Sequence, residues 1–424
     1  MKILVIGSGA REHALVHFLL KDQGSQVVCA PGNAGISREV ETFQLDATNP
    51  TATVELASEL AADLVVIGPE APLVAGVADA LREAGFSVFG PSAAAAQLEG
   101  SKAFAKEVMA AAGVPTAAAH VCSTEAQVRD ALDEFGAPYV VKDDGLAAGK
   151  GVVVTDDYAQ ALEHALACIN SRVDGAVVIE EFLAGPEVSL FGVTDGKTVR
   201  ALSPAQDFKR VFDNDEGPNT GGMGAYSPLD WAPADLVQET VHKVLQPTID
   251  EMAKRGTPFS GLLYAGLVLT SKGTKVIEFN ARFGDPETQV VLSRLNSSLT
   301  DLLFAAATGN LSDLPELQWA QSCAITVVMA AEGYPTEPKT GAAITGLDQV
   351  DATRATVFHA GTKASESAGC VVSGGRVLCV TASGADLDRA RENAYAEVSK
   401  IEFAGSHHRT DIALKASRGE IQVP

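Results

Sequence analysis

No apolar run in these 424 residues approaches the roughly 18 needed to cross a bilayer. The opening MKILVIGSGA passes directly into a strand-like pattern with no separate leader-like segment, so a cytoplasmic enzyme is expected. Cysteine is sparse and scattered (Cys29, Cys122, Cys168, Cys323, Cys370 and Cys379), with no CxxC and no paired spacing. That argues against both a disulfide framework and a structural zinc site. Basic charge is short as well: 32 Lys and Arg against 54 Asp and Glu leave a net charge of −22. Such a chain repels nucleic-acid backbones, so neither DNA nor RNA is an expected partner, and no membrane is. Two phosphate-binding signatures are incomplete. A Walker A loop would need glycine at 144 and Ser or Thr at 151, where the chain has Asp144 and Gly151. The GxG of Gly7 and Gly9 lacks its third glycine, replaced by Glu12. Nor is there a triad-like nucleophile constellation.

What is present is a hydrophobic content of 46%, ample for burial, in a chain long enough for two to four domains. Residues 2–6, 27–30, 64–67 and 87–89 read as buried strands, each ending in a Gly- or Pro-containing loop. This is βαβ punctuation, and its loops lie at the carboxyl ends of strands, where open α/β sheets bind ligands. A first domain of about 100 residues follows. The Gly7–Gly9 turn alone leaves open a nicotinamide-dependent oxidoreductase, against which Glu12 speaks.

Residues 137–155, APYVVKDDGLAAGKGVVVT, form a strand, a glycine-rich loop and a return strand. Gly145, Gly149 and Gly151, with Lys142 and Lys150 at either end, suit a cradle for a polyanion, although a plain hairpin fits the local pattern too. Ser101 caps a helix over 102–112, placing Lys102 in a first turn where bound phosphate would relieve its conflict with the helix dipole. Residues 176–183 form a strand ending in a hinge; backbone groups at 181–183 could meet an adenine edge, and Glu187 could accept from ribose. Residues 205–228 read as the longest loop, a binding loop carrying Asp207, Lys209 and Asn219. A hairpin over 262–270 and 274–280 follows. Strict alternation in its second strand puts Val276, Glu278 and Asn280 on one face, a carboxylate and an amide oxygen suited to a hard cation. Arg282 then offers a planar fork for phosphate or carboxylate. After residue 313 the texture changes to a separate α+β unit. His407 and His408 are adjacent and read as surface or satisfied core residues.

VIGSGAREHAL, VIGPEAPLVAG, VVKDDGLAAGKGVVV, VIEEFLAGPEVS, GPNTGGMGAYSP and IEFNARFGDPETQ together closely resemble the phosphoribosylamine–glycine ligase family of the ATP-grasp superfamily. The resemblance runs from Met1 to the RTDI ending at Ile412. It implies a multidomain α/β and α+β protein: an N-terminal doubly wound parallel-sheet domain over 1–101, an ATP-grasp body over 102–320 with a mobile lid at about 115–189, and a C-terminal α+β domain over 321–424. It implies ATP as co-substrate, Mg²⁺ or Mn²⁺ as cofactor, glycine and 5-phosphoribosylamine as substrates, and a monomer rather than an oligomer. Matching positions imply roles. Lys102 and Lys142 would contact phosphates, and residues 144–151, with Gly145, Gly149, Lys150 and Gly151, would close over them. Glu180, Glu181 and Leu183 would form the adenine hinge, with Glu187 on the ribose. Glu278 and Asn280 would hold the metal. Arg282, Lys142, Asp207 and Lys209 would serve the chemistry. Arg282, Asn219, Thr220, Gly221 and Asp285, with Asn33 and Glu70, would face the substrates. Two departures stand out. Asp143 fills a place where the family more often has a small residue, tolerable if its side chain points away. Residues 262–269 carry no acid, so a metal would take more of its ligands from phosphate and water. Another ATP-grasp carboxylate–amine ligase and a catalytically dead nucleotide-binding module remain as alternatives.

Overall fold

Four short strands, Gln26–Pro31, Lys2–Gly7, Leu64–Ile67 and Ser87–Phe89, pair in that spatial order, all parallel. Their Val, Ile and Leu side chains are almost wholly buried, as a parallel sheet covered on both faces requires. The computed structural model describes residues 1–145, 151–171, 173, 175–367 and 369–424. Among them no helix is long and apolar enough to cross a membrane.

Gly113, in the left-handed region at φ 67°, ends the helix Lys102–Ala112, whose N-terminus is capped as expected: Ser101 Oγ accepts from Phe104 N at 3.1 Å. Next comes an antiparallel sheet ordered Ala119–Cys122, Val177–Glu180, Tyr139–Asp143, Val152–Thr155. Helices Glu125–Phe135 and Tyr158–Asn170 pack their apolar faces on it. A second antiparallel sheet, ordered Val199–Ala201, Glu187–Asp195, Ser260–Thr270, Gly273–Asn280, forms the body.

The region 205–228 departs from expectation. It is not a long loop. Gln206–Asp207 and Gly224–Ser227 are strands, and Arg210–Phe212 pairs with Glu216–Asn219 as a hairpin between them. The outer pair joins the C-terminal sheet, ordered Gln206–Asp207, Gly224–Ser227, Cys323–Ala330, Arg376–Gly384, Ala355–His359. Ala225, Tyr226 and Ser227 are buried against Thr326, Ile325 and Ala324, so the partner strand lies a hundred residues away and leaves no local trace. The sheet therefore crosses the boundary expected at residue 320.

Strict alternation also fails in Gly273–Asn280. Gly266 pairs with Glu278 and Leu267 with Val276, so Ile277 is the extra residue of a β-bulge. Val276 belongs to the apolar core and does not share the face of Glu278 and Asn280, while Ile277 and Glu278 both line the cleft described below.

Candidate active site

The sheets meet around one cleft of about 950 Å³. Pairing of Tyr139–Asp143 with Val177–Glu180 sets Lys142 opposite Val178, and so diagonal to Glu180 on the same face. Lys142 is only 3% exposed; its Nζ donates to Ile277 O at 2.9 Å and pairs with Glu180 Oε2 at 2.9 Å. Lys106, one turn beyond Lys102, reaches the other Glu180 oxygen at 3.1 Å. Burial lowers the Lys106 pKa against the opposing pull of Glu180. Lys102 Nζ donates to Gly145 O at 3.1 Å, and Asp144 accepts from Ser101 Oγ and Ala103 N, each at 3.1 Å. The start of the glycine loop is thereby tied to the helix N-terminus.

The strand Val177–Glu180 ends where the hinge was expected. Glu181 N donates to Ala118 O at 3.0 Å and its carboxylate pairs with Lys275 at 2.8 Å. Among the described residues, the Glu181 carbonyl and the Leu183 N–H make no hydrogen bond, and both residues line the cleft, which leaves a donor and an acceptor for a purine edge. Glu187 also lines the cleft and pairs with Lys209.

Further in, the charges crowd. Burial would raise the Glu278 carboxyl, but Lys209, Lys142, Lys102 and Arg282 outweigh it and hold the group below its usual range. Asp207 is the opposite case. Burial, with Glu287, Glu187 and Glu278 nearby, pushes it up to about 7 in spite of Lys209. Arg282 is held between two acids, Nε to Glu70 at 3.2 Å and Nη2 to Glu99 at 2.9 Å. These carboxylates raise its pKa against the effect of burial. Asn219, Thr220, Gly221, Asn280 and Asp285 line the same end. Thr220 N and Oγ1 both bond Lys209 O at 2.8 Å, which fixes the turn that follows.

The cleft thus brings together every expected site residue among those described except Asn33. Gly149 and Lys150 lie outside the described residues. Asn33 is not in the cleft wall. Its Nδ2 donates to Ser8 O at 2.8 Å and His359 O at 2.7 Å, and its Oδ1 accepts from Gly35 N and Ile36 N. It is an Asx-type turn residue that latches the first sheet to the C-terminal one. Asp143 does not line the cleft either, as strand alternation permits.

Sequence reasoning missed several cleft residues. Glu287, 3% exposed in the first turn of Glu287–Ser293, accepts from Tyr264 Oη at 2.7 Å and Ser189 Oγ at 3.1 Å. It lies within GDPETQ, two residues past Asp285, so the motif carried a signal for it. Glu99 and Lys106 act through ion pairs assembled by the fold, Arg11 reaches Phe283 O at 3.0 Å, and Arg376 arrives from the C-terminal sheet; none of these contacts has a local pattern. At the Gly7–Gly9 turn, Glu12 settles the matter of a dinucleotide. Its Oε2 accepts from Gly9 N at 2.6 Å and its Oε1 from Arg11 Nε at 2.6 Å. A Cβ at Gly68 would lie 2.2 Å from that carboxylate. The protein's own acid fills the place a pyrophosphate would need. Among the described residues no group of three His, Cys, Asp or Glu could hold a metal, which covers the His407–His408 pair; His407 Nε2 instead bonds Val211 O at 2.8 Å.

Residues 1–99, 100–288 and 324–415 match, in turn, the N domain, the ATP-grasp (A) domain and the C domain of phosphoribosylglycinamide synthetase. Phosphoribosylamine–glycine ligase of Streptomyces coelicolor is 65% identical over 421 residues, covering 98% of this chain and 100% of its own. The enzyme of that name from Mycobacterium tuberculosis is 52% identical over 429 residues, 100% of both chains. Among solved structures, phosphoribosylamine–glycine ligase from Thermotoga maritima matches with a TM-score of 0.84 at 33% identity, over 97% of this chain and 100% of that one. Biotin carboxylase from Campylobacter jejuni, at 15% identity and a TM-score of 0.75 over 98% and 94%, shares the fold.

Proposed function

The chain belongs to the phosphoribosylamine–glycine ligase family of ATP-grasp ligases, and on that premise we propose that its cleft joins glycine to 5-phosphoribosylamine, giving glycinamide ribonucleotide, ADP and phosphate. The observation that carries this reading is the convergence in one cleft of Lys102 and Lys142, a carboxylate–amide pair at Glu278 and Asn280, and a rigidly held Arg282.

A carboxylate is a poor acyl donor. A glycine carboxylate oxygen attacks the γ-phosphorus of ATP, the bond to the ADP oxygen breaks, and glycyl phosphate forms. The amine of phosphoribosylamine then attacks the acyl carbon, and phosphate leaves with the bridging oxygen. Lys142 and Lys102 offset the charge of the phosphates, which is most of what phosphoryl transfer asks of a protein. Glu181 O and Leu183 N read the adenine, and Glu187 the ribose. Arg282, braced by Glu70 and Glu99, orients the acyl phosphate. Asn219, Thr220, Gly221 and Asp285 face the amine substrate. Asp207, with its pKa near 7, takes the proton that the attacking amine must lose.

Glu278 and Asn280 fit a hard divalent cation: one carboxylate kept ionised by surrounding cations and one neutral oxygen. With so few protein ligands, phosphate and water would complete the shell, so Mg²⁺ and Mn²⁺ would both suit the site. Such an ion would supply charge neutralisation to the transferring phosphoryl group.

The test is ADP release. It should require glycine and phosphoribosylamine together, and other amino acids should not replace glycine. Release that proceeds equally with other amino acids would sink the reading.

A further inference from the structure

Beyond residue 320, Arg376 at the start of one sheet strand and Tyr334 in a turn hold one cleft residue from both sides. Gly221 N donates to Tyr334 Oη at 2.9 Å, and Gly221 O accepts from Arg376 Nη1 at 2.5 Å. The same Arg376 Nη1 donates to Asp285 O at 2.7 Å, and Nη2 pairs with Asp285 Oδ2 at 3.3 Å. Burial would lower the pKa of this guanidinium, but Asp285 outweighs it and keeps the group firmly charged.

The glycines around it fit this arrangement. A Cβ on Gly221 would come within 3.0 Å of Arg376 Cζ, and one on Gly375 within 2.4 Å of the Tyr334 ring. Gly222, at φ +109°, would place a Cβ 2.4 Å from Pro286 Cδ. Two turns far apart in sequence, at 219–222 and 284–286, are therefore pressed together with the guanidinium between them. Arg282, the braced cation of the cleft, lies three residues before Asp285.

We propose that Arg376 and Tyr334 are positioning residues for the amine substrate. They clamp Gly221 and Asp285 so that the substrate-facing turns stay in register with Arg282. The inference rests on the proposed function, because it assigns those turns to the amine. It goes further in making Arg376 and Tyr334, both beyond residue 320, a working wall of the site. A shift of about 1 Å in a substrate-positioning wall can cost on the order of 100-fold in rate. Among the described residues, no hydrogen bond or ion pair joins either of them to the nucleotide end built from Lys102, Lys142 and the 181–183 hinge.

The experiment compares Arg376→Ala and Tyr334→Phe with the unmodified protein, using phosphoribosylamine formed in situ from ribose 5-phosphate and ammonia. For Arg376→Ala, KM for the amine should rise roughly 10- to 100-fold. For Tyr334→Phe the rise should be about 3- to 10-fold, the value of one hydrogen bond. Kd for a non-hydrolysable ATP analogue should stay within about threefold in both. An unchanged KM for the amine, or an analogue Kd that weakens in step with it, would overturn the proposal. Should Arg376→Ala fail to fold, Tyr334→Phe decides the matter on the same readings. An unmodified protein that shows no glycine-dependent turnover of phosphoribosylamine overturns the functional reading instead, and this inference with it.

Discussion

Replacing Lys142 with methionine separates a structural role from a chemical one. The ammonium makes a 2.9 Å pair with Glu180 and a 2.9 Å hydrogen bond to Ile277 O while almost fully buried. Removing one partner of a buried pair ordinarily costs about 3–5 kcal/mol, because the other charge is stranded. Here Lys106 still reaches Glu180 at 3.1 Å, so the expected loss is smaller, about 2–3 kcal/mol. Methionine keeps the stem's packing. Loss of a charge aimed at the transferring phosphoryl group should lower kcat by about 100- to 1000-fold. The double variant Lys142→Met/Glu180→Gln divides the two effects. With the stranded carboxylate gone, stability should recover most of its loss, since Lys106 keeps Thr116 Oγ1 and Ala117 O, each at 2.9 Å. Activity should not recover. Denaturant melts and steady-state ADP release at saturating ATP measure both quantities. A Lys142→Met protein within threefold of full activity, or a double variant that regains activity along with stability, would refute the assignment.

Further expectations follow from the same geometry. Glu278→Gln should leave the fold intact and reduce ligation by at least about 100-fold at any metal concentration tested, with weaker Mn²⁺ binding by titration calorimetry; near-normal turnover would count against the metal assignment. With Asp207 pushed up to about 7, turnover should rise with pH through that value, and Asp207→Asn should flatten the profile. The sign for stability is the reverse, because a carboxyl with a raised folded-state pKa contributes stability below its unfolded value near 4 that is lost as pH rises through about 7. Melts should therefore show Asp207→Asn gaining on the unmodified protein from pH 4 to 7 and no further above; a constant difference would contradict this. Asn33→Ala should lose about 1–2 kcal/mol of stability from the latch to Ser8 and His359, with KM values unchanged. A raised KM for the amine without a stability loss would instead return Asn33 to the site.

Local pattern made part of this architecture legible. The strands Leu64–Ile67 and Ser87–Phe89 are apolar runs closed by Gly-Pro turns, and the helix Lys102–Ala112 has its cap and its terminating glycine in plain view. Long-range pairing was not legible. Gly224–Ser227 is a strand because Cys323–Ala330 lies beside it, while Gly221 and Gly222 before it and Pro228 after it read as loop. The bulge at Ile277 is similar: the Gly266 register decides it, and alternation from the sequence misplaced Val276. Within the site, residues in motif-rich stretches could be named as cleft residues, whereas the contacts that brace them could not. Glu99 and Glu70 matter because they grip Arg282, and Arg376 because it grips Gly221 and Asp285. Those relations exist only once the sheets have met.

The passage of an oxygen atom from glycine to phosphate tests the proposed chemistry most directly. With glycine labelled by oxygen-18 in its carboxylate, and with ATP and phosphoribosylamine supplied, attack on the γ-phosphorus followed by amine attack on the acyl carbon must leave one labelled oxygen in each phosphate released. Mass spectrometry of the phosphate should find that single label in step with amide formation. Phosphate carrying no label while amide accumulates would contradict an acyl phosphate in this cleft.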